Sequence, residues 1–267
     1  MNKYYPKRIV CLTEETTETI YMLKEQDRIV GISGFTVRPP KAIKEKPKVS
    51  LFTSAKIDGI CDLKPDLVIG FSDTQADSAK ELIERGITVI INNHRSINGI
   101  KKMIYQIGLL GGKKKQSIII LKLIGDKINR IFKKVQSWDV KPKVYFEEWD
   151  SPIISGIKWV SETIELAGGI DIFPELSRET LAKNRIIKNG NQIIERNPDI
   201  ILVSWRRKKF KKPSLINRFE WNKISAIKNN HIYEIKSEII LQPGPACLIE
   251  GLEIIHQIFN DWQLSNS

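Results

Sequence analysis

The stretch KKKQSIIILKLIGDKINRIFKKV, residues 113–135, bears on whether the chain forms one domain or two lobes. Its apolar residues recur at steps of three and four, which places one apolar stripe along a helix. The stripe consists of Leu121, Ile124, Ile128, Ile131 and Val135. Such a helix extends about 35 Å at ~1.5 Å per residue, roughly the width of a small domain. It is either a strut that joins two lobes or an ordinary helix of one domain, and the flanking sequence favours one of these.

Two similar segments flank this helix. LKPDLVIGFS (63–72) precedes it and RNPDIILVSW (196–205) follows it. Each segment contains a helix end, Pro-Asp, four residues typical of a buried strand, and a polar or aromatic loop. One Pro-Asp connector is common in α/β proteins, but two copies on either side of a long helix favour two lobes.

Apolar runs alternate with helical patterns along the chain, which predicts parallel sheets covered on both faces. Strands are predicted at 8–12, 28–31, 67–70, 88–91, 143–146, 153–155, 200–203 and 231–235, and helices at 57–63, 74–85, 97–110, 158–167, 192–196 and 246–262. The predicted fold class is α/β, with two lobes that each have a parallel central sheet, one long bridging helix, and a ligand cleft between the lobes. The predicted boundaries are 1–112, 113–137 and 138–267.

The charge, the cysteine and histidine content and the N-terminal residues limit the class of protein to which the chain can belong. The 267 residues carry a net charge of +12, spread mainly over helix faces, with a dense basic run at 206–212. That run is a solvated loop or, as a weaker hypothesis, a nucleic-acid contact. The three cysteines and three histidines show no disulfide framework or metal-ligand spacing, so no metal site is predicted. The first residues lack an apolar leader, which favours a cytoplasmic location if the chain is full length.

Most candidate binding residues follow the predicted strands, because ligands of open parallel sheets bind beyond the carboxyl ends of the strands. Lys56, Trp159 and Gln242 lie on nearby loops, helix starts or turns. These positions combine aromatic rings with a few polar groups, as small-molecule clefts do. The predicted ligand-binding residues are Phe35, Arg38, Lys56, Phe71, Ser72, Gln75, Glu148, Trp149, Trp159, Ser204, Trp205 and Gln242.

Glu147 and Glu148 are the residues that a catalytic hypothesis would use. Neighbours on a strand point to opposite faces, so at most one of these carboxylates enters a cleft. Nucleophile, metalloprotease, phosphate-loop and dinucleotide motifs are all missing from the sequence. We therefore predict that the protein is not an enzyme and has no catalytic residues.

The chain resembles the helical-backbone class of substrate-binding proteins of ABC importers, which bind cobalamin or iron–siderophores. The resemblance covers nearly the whole chain, and the order and spacing of its motifs are more specific than any one of them. It is carried by RIVCL (8–12) with residues 13–18, the Pro39-Pro40 loop, KPDLVIG (64–70), RGITV (85–89), the helix at 113–135, AGG (167–169) and NPDI (197–200). The cobalamin-binding branch is the nearer match, since it lines the corrin with aromatic residues from the loops that here contain Phe35, Phe71 and Trp205.

The resemblance implies a monomeric binding protein that holds one bulky ligand between two lobes. The ligand would be a cobalamin-like corrinoid, a ferric siderophore or haem, with no catalytic cofactor and no nucleic acid. It also implies an ABC permease as partner and a periplasmic or cell-surface location. The family's docking glutamates align near Ala76 and Asn191, where Asp77 and Glu195 are the nearby acidic residues. The alternative hypothesis is an intracellular enzyme or ligand sensor that reuses the fold, with Glu147 or Glu148 as functional carboxylates.

Overall fold

The computed structural model describes residues 4–50, 57–206 and 208–266. The chain forms two compact units. Unit 1 comprises the residues up to His94 together with Asn98–Leu123, and unit 2 comprises Arg95–Ile97 together with the residues from Ile124 onward.

Unit 1 contains a five-stranded parallel sheet in the order β3-β2-β1-β4-β5. Its strands are β1 (Ile9–Cys11), β2 (Ile29–Ser33), β3 (Lys48–Ser50), β4 (Leu67–Phe71) and β5 (Val89–Asn92). The strand order reverses between β1 and β4, which pair directly with each other. A reversal of this kind opens a crevice at the carboxyl ends of the two strands, where α/β proteins bind ligands.

Helices follow the strands of this sheet, and the longer ones bury apolar side chains against it. They are α1 (Glu14–Met22), α2 (Pro40–Glu45), α3 (Ile57–Asp62), α4 (Ala76–Glu84) and α5 (Ile97–Leu110), with short 3-10 helices at Gln26–Arg28 and Asp73–Gln75. One cluster of the core joins strand residues such as Val10 and Val68 to Ile60 of α3 and Leu82 of α4. The apolar strand residues and the helical stripes of the sequence therefore meet in one core, as the alternating pattern predicts.

The long central helix, α6 (Lys114–Val135), contributes residues to both units. Ile124, Ile131 and Val135 are buried, and Leu121 and Ile128 are partly buried. The predicted apolar stripe is therefore confirmed, and the lysines of the helix lie on its remaining faces. The predicted domain boundaries remain a proposal, since the division into units falls inside α6.

Unit 2 contains a mixed sheet in the order β10-β9-β6-β7, with β8 also paired to β6. Its strands are β6 (Lys143–Asp150), β7 (Ile153–Ser155), β8 (Ile170–Asp171), β9 (Ile200–Val203) and β10 (Ile232–Glu234). Four of these strands run parallel, whereas β7 returns antiparallel to the end of β6. The strand order of this sheet reverses between β6 and β9. Unit 2 therefore also has a crevice at the carboxyl ends of two neighbouring strands.

Seven helices follow the strands of unit 2 among the described residues. They are α7 (Lys158–Ala167), α8 (Pro174–Ser177), α9 (Asn191–Arg196), α10 (Lys212–Ile216), α11 (Ser225–Lys228), α12 (Ser237–Ile240) and α13 (Leu252–Asn266). Short 3-10 helices lie at Ala182–Arg185 and Trp221–Lys223, and Cys247–Gly251 forms a π-helix just before α13. Gly168 ends α7 at φ 103°, a left-handed conformation that favours glycine.

Short elements differ most from the sequence-based expectations. The sequence pattern does not predict β3, β8 or the short helices α2, α8, α10, α11 and α12. Runs of two to six residues carry too little periodicity to stand out, and neighbouring strands or loops decide their conformation. Across the described residues, we find no helix with the length and apolar character needed to cross a lipid bilayer.

Candidate functional site

Gln75 links the two central strands of unit 1 at their carboxyl ends. Its Oε1 accepts a hydrogen bond from the Phe71 backbone N–H at 2.9 Å, and its Nε2 donates to the Leu12 carbonyl at 3.3 Å. The side chain is 3% exposed. Gly70 makes room for it, because an added Cβ there would lie 2.5 Å from the Gln75 Oε1. Gln75 therefore fastens β1 to β4 at the crevice position of this sheet.

Other predicted residues of unit 1 surround this link. Ser72 is buried and its hydroxyl pairs with that of Thr74 at 2.7 Å. Phe71 is 7% exposed and meets the His94 ring edge-on, with centroids 5.0 Å apart. These side chains pack the carboxyl edge of the sheet, and little of Phe71 remains accessible to a ligand.

The loop after β2 carries the more accessible candidates. Phe35 is partly buried, and its backbone N–H donates to the Ser33 hydroxyl at 3.2 Å. The Arg38 Nε lies 3.0 Å from Glu18 Oε1, so this guanidinium already holds a carboxylate of α1. Lys56 lies outside the described residues, and its predicted role stays a prediction.

Glu147 is the central side chain at the carboxyl edge of unit 2. It is fully buried on β6 and receives hydrogen bonds from three neighbours. Arg218 donates from Nη1 at 2.6 Å and Nη2 at 2.8 Å, Trp205 donates from Nε1 at 3.0 Å, and the Tyr145 hydroxyl donates at 2.9 Å. A buried carboxylate with four donors has its charge neutralised and its acceptor sites filled. This geometry suits a structural anchor and leaves the carboxylate no position for substrate.

The Glu147 charge shifts the pKa values of its two titratable neighbours. Burial opposes ionisation of Arg218, but the hydrogen bond and charge of Glu147 outweigh it and raise the pKa of Arg218. For Tyr145, burial and the Glu147 charge act together and raise the pKa of the hydroxyl well above its usual value. The raised pKa values keep the Arg218 guanidinium charged and the Tyr145 phenol neutral.

Three aromatic rings extend this network outward, and we call Trp149, Trp205 and Phe210 the aromatic platform. Trp205 meets Phe210 edge-on at 5.2 Å between centroids, and it is 4% exposed. Trp149 and Phe210 keep part of their surface exposed. The Lys208 ammonium lies 5.0 Å from the Trp205 centroid and 5.8 Å from that of Trp149, which are cation–π distances.

Glu148, next to the anchor, points to a different partner. Its carboxylate pairs with Arg185, whose Nη1 lies 2.5 Å from Glu148 Oε2 and also donates to the Ser155 carbonyl. The Arg185 side chain is 3% exposed and that of Glu148 is 16% exposed. The alternation expected for adjacent strand residues thus gives each glutamate its own arginine. The sequence singled out neither Arg185 nor Arg218, because each lies far along the chain from its glutamate.

The remaining candidates of unit 2 differ in accessibility. Trp159 is buried on α7, and its Nε1 donates to the Ile240 carbonyl at 2.9 Å. Gln242 is partly buried, and its backbone carbonyl accepts a hydrogen bond from the Gly244 N–H in a turn. Ser204 is buried, and its hydroxyl has no hydrogen-bond partner among the described residues. The Oδ1 atom of Asp150 is also buried and has no hydrogen-bond partner among those residues. The described residues also contain no cluster of three or more potential metal ligands.

The chain matches the model of a known protein family over residues 9–239, which is described as periplasmic binding protein. It is 28% identical to the uncharacterized ABC transporter substrate-binding lipoprotein YvrC of Bacillus subtilis, over 94% of this chain and 79% of that one. It is 26% identical to the vitamin B12-binding protein of Vibrio campbellii, over 89% of this chain and 84% of that one.

Solved structures with the same fold extend the comparison. The periplasmic heme-binding protein RhuT from Roseiflexus sp. RS-1 superposes with a TM-score of 0.81 at 20% identity, over 96% of this chain and 99% of that one. The relatives are binding proteins, and the resemblance noted in the sequence is confirmed. The chain therefore belongs to the periplasmic binding protein family.

Proposed function

We propose that this protein is the non-enzymatic binding component of an ABC importer and that its ligand is one bulky metal chelate. The ligand class is a corrinoid or haem, as the names of two relatives suggest, or a ferric siderophore, as the sequence resemblance implies. The observation that carries the proposal is the aromatic platform at the carboxyl edge of unit 2. Flat rings offer large contact areas to a macrocycle at a small cost in side-chain entropy.

The accessible candidates would contact the ligand, and the buried ones would position them. Phe35, Arg38, Trp149 and Gln242 retain exposed surface and would supply rings and polar donors. The buried candidates are Phe71, Ser72, Gln75, Trp159, Ser204 and Trp205, and their hydrogen bonds and packing would fix the loops. A metal held by the chelate itself would be consistent with the lack of a metal-ligand cluster among the described residues.

Visible-absorption titration tests this proposal directly. Hydroxocobalamin, haemin and a ferric siderophore would each be added to the purified protein, and band shifts and heats would be recorded. We expect one of the three to bind with a stoichiometry of one and a dissociation constant at or below the micromolar range. If none of them shifts a band or releases heat at high micromolar concentration, the proposal is wrong.

We also propose an ABC permease as the partner and a monomeric free state, with the protein acting at the outer surface of the cell membrane. Asp77 on α4 and Glu195 on α9 are exposed acidic residues that would pair with basic residues of the permease. Asp77→Lys and Glu195→Lys should weaken binding to the reconstituted permease without changing ligand affinity. Asp139→Lys, at another exposed acidic position, is the matched control.

A further inference from the structure

Lys208 occupies an unusual position for a surface lysine. Its ammonium lies over the indoles of Trp149 and Trp205 and pairs with Asp150. The Lys208 side chain is 47% exposed, whereas that of Asp150 is 13% exposed. An ammonium has three N–H donors and the ion pair uses one of them, so donors remain for a ligand on its exposed side. The chain thus supplies a pre-positioned cation on the surface of the aromatic platform.

The platform beneath this cation is rigidly supported. The Trp205 Nε1 is held by Glu147, which is itself fixed by the two hydrogen bonds of Arg218. The Trp149 Nε1 donates to the Ser151 carbonyl at 2.9 Å. Both indoles therefore have fixed edges, and Lys208 can meet a ligand without the cost of ordering the rings at the moment of binding.

The local charge favours an anionic partner. Six of the seven residues from 206 to 212 are lysine or arginine. Asp150 pairs with Lys208, and the Glu147 carboxylate is buried against Arg218. Lys208 and Lys209 thus place positive charge on an exposed part of this surface, which attracts an ionised acid.

We propose that Lys208 recognises an acid group of the ligand, so that the natural ligand is a metal chelate with ionised acid groups on its rim. This inference rests on the proposed function and specifies the chemistry of its substrate. The flat part of the chelate packs on Trp149 and Phe210, and the acid group accepts a hydrogen bond from the Lys208 ammonium. Asp150 keeps that ammonium over the indoles while the site is empty.

The test compares acid and neutral forms of the same chelate. Haemin is compared with its dimethyl ester, and a cobalamin monocarboxylate is compared with cobalamin itself, by visible-absorption titration. Wild-type protein should prefer the acid form by about tenfold, the effect of one charge-assisted hydrogen bond at a half-exposed site. The preference should weaken at high salt, since the ammonium is in contact with solvent.

Three variants assign the preference to Lys208. Lys208→Met should bind acid and neutral forms with similar affinity, because it keeps the alkyl contact and removes the charge. Lys208→Arg should retain most of the preference. Lys209→Met removes an exposed charge from the neighbouring residue and is the matched control, which should behave like the wild type.

The outcomes separate this inference from the proposed function. If neither form of either chelate binds and a ferric siderophore does not bind either, the proposed function fails and the inference fails with it. If only the siderophore binds, the inference is overturned unless Lys208→Met weakens its binding more than Lys209→Met does. If a chelate binds but the wild type does not distinguish its acid and neutral forms, the inference alone is overturned. The same holds if Lys208→Met keeps the full preference for the acid form.

Discussion

The two sheets are fastened at equivalent positions by different chemistry. In unit 1, the neutral amide of Gln75 joins the ends of β1 and β4 through two backbone groups. In unit 2, the buried carboxylate of Glu147 joins β6 to the Trp205 indole at the end of β9 and to Arg218. Both residues lie where the strand order reverses, the position at which α/β folds bind ligands.

This difference determines how strongly each carboxyl edge depends on one side chain. An amide that bonds to backbone can be lost at the cost of two ordinary hydrogen bonds. A buried ion pair that loses one partner leaves an uncompensated charge. We therefore infer that the aromatic platform of unit 2 depends on a single ion pair, whereas the edge of unit 1 is held by several smaller contacts.

The tryptophans allow the two units to be followed separately. All six tryptophans of the chain lie between positions 138 and 262, within unit 2. Intrinsic tryptophan fluorescence therefore reports the unfolding of unit 2, while far-ultraviolet circular dichroism reports both units. The experiments that follow use this difference.

Arg218→Met should have the largest effect. It leaves the Glu147 carboxylate buried without its cation, and the free energy of unfolding of unit 2 should fall by about 3–5 kcal/mol. Urea denaturation followed by tryptophan fluorescence measures this change. Lys209→Met is the control for loss of an exposed positive charge. A loss below about 1 kcal/mol, the range of an exposed pair, would contradict the anchor role of Glu147.

Gln75→Met should have a smaller effect that is confined to unit 1. The methionine fills a similar volume but removes the hydrogen bonds to the Leu12 carbonyl and the Phe71 N–H, each of which contributes about 0.5–1.5 kcal/mol net. The circular dichroism transition should move to lower urea concentration, while the fluorescence transition stays in place. An equal shift of both transitions would show that the two edges are not independent.

Gly70→Ala tests the same link through its packing. The new methyl group would crowd the Gln75 Oε1 and Ile91 Cδ1, which lie 2.5 and 2.7 Å from its position. Overpacking of this kind typically costs about 1–3 kcal/mol. The cost should be smaller in a Gln75→Ser background, where the crowded amide has been removed. Additive costs in the double variant would mean that Gln75 and Gly70 do not interact.

Tyr145→Phe should change the pH dependence of unit 2. The pKa of Tyr145 is raised in the folded protein, so above pH ~10 the unfolded chain releases this proton while the folded chain retains it. Wild-type stability should therefore fall by about 1.4 kcal/mol per pH unit more steeply than that of the variant, from pH ~10 upward. Parallel curves for the two proteins, measured by fluorescence up to pH ~11, would exclude this effect.

Trp149→Leu should give the smallest of these changes, and it acts on ligand affinity. Loss of the ring should weaken chelate binding by about 0.5–1.5 kcal/mol beyond the area lost, which is about threefold to tenfold. Phe35→Leu removes an accessible ring from unit 1 and provides the matched comparison. Titration of whichever chelate binds measures both. A larger loss for Phe35→Leu would move the main contact to unit 1.

The sequence predicted the architecture because the architecture rests on long repetitive patterns. The echoed Pro-Asp strands at 67–70 and 200–203 are close to the observed β4 and β9, and the stripe of α6 needed only its three- and four-residue spacing. Trp149 and Trp205 could also be predicted to lie at the carboxyl edge of the sheet, since they follow predicted strands. Short strands such as β3 and β8 could not be predicted, because their conformation depends on the strands with which they pair.

The charge network was beyond the reach of sequence patterns. Glu147 and Arg218 are 71 residues apart, and nothing in the local sequence of either residue indicates the other. The alternation of strand side chains predicted that Glu147 and Glu148 point in different directions. Their partners depend on two segments without a regular period: Arg185 lies between β8 and β9, and Arg218 lies between β9 and β10.

Hydrogen exchange measured by mass spectrometry, with and without a bound chelate, would show which loops of the protein contact the ligand. Ligand should protect the loops at the carboxyl edge of unit 2, namely residues 147–151, 204–206 and 208–210. Segments at the opposite edge, such as residues 63–66 and 196–199, should exchange at unchanged rates. Protection confined to those opposite segments, or to the exposed face of α4, would contradict the proposed location of the ligand.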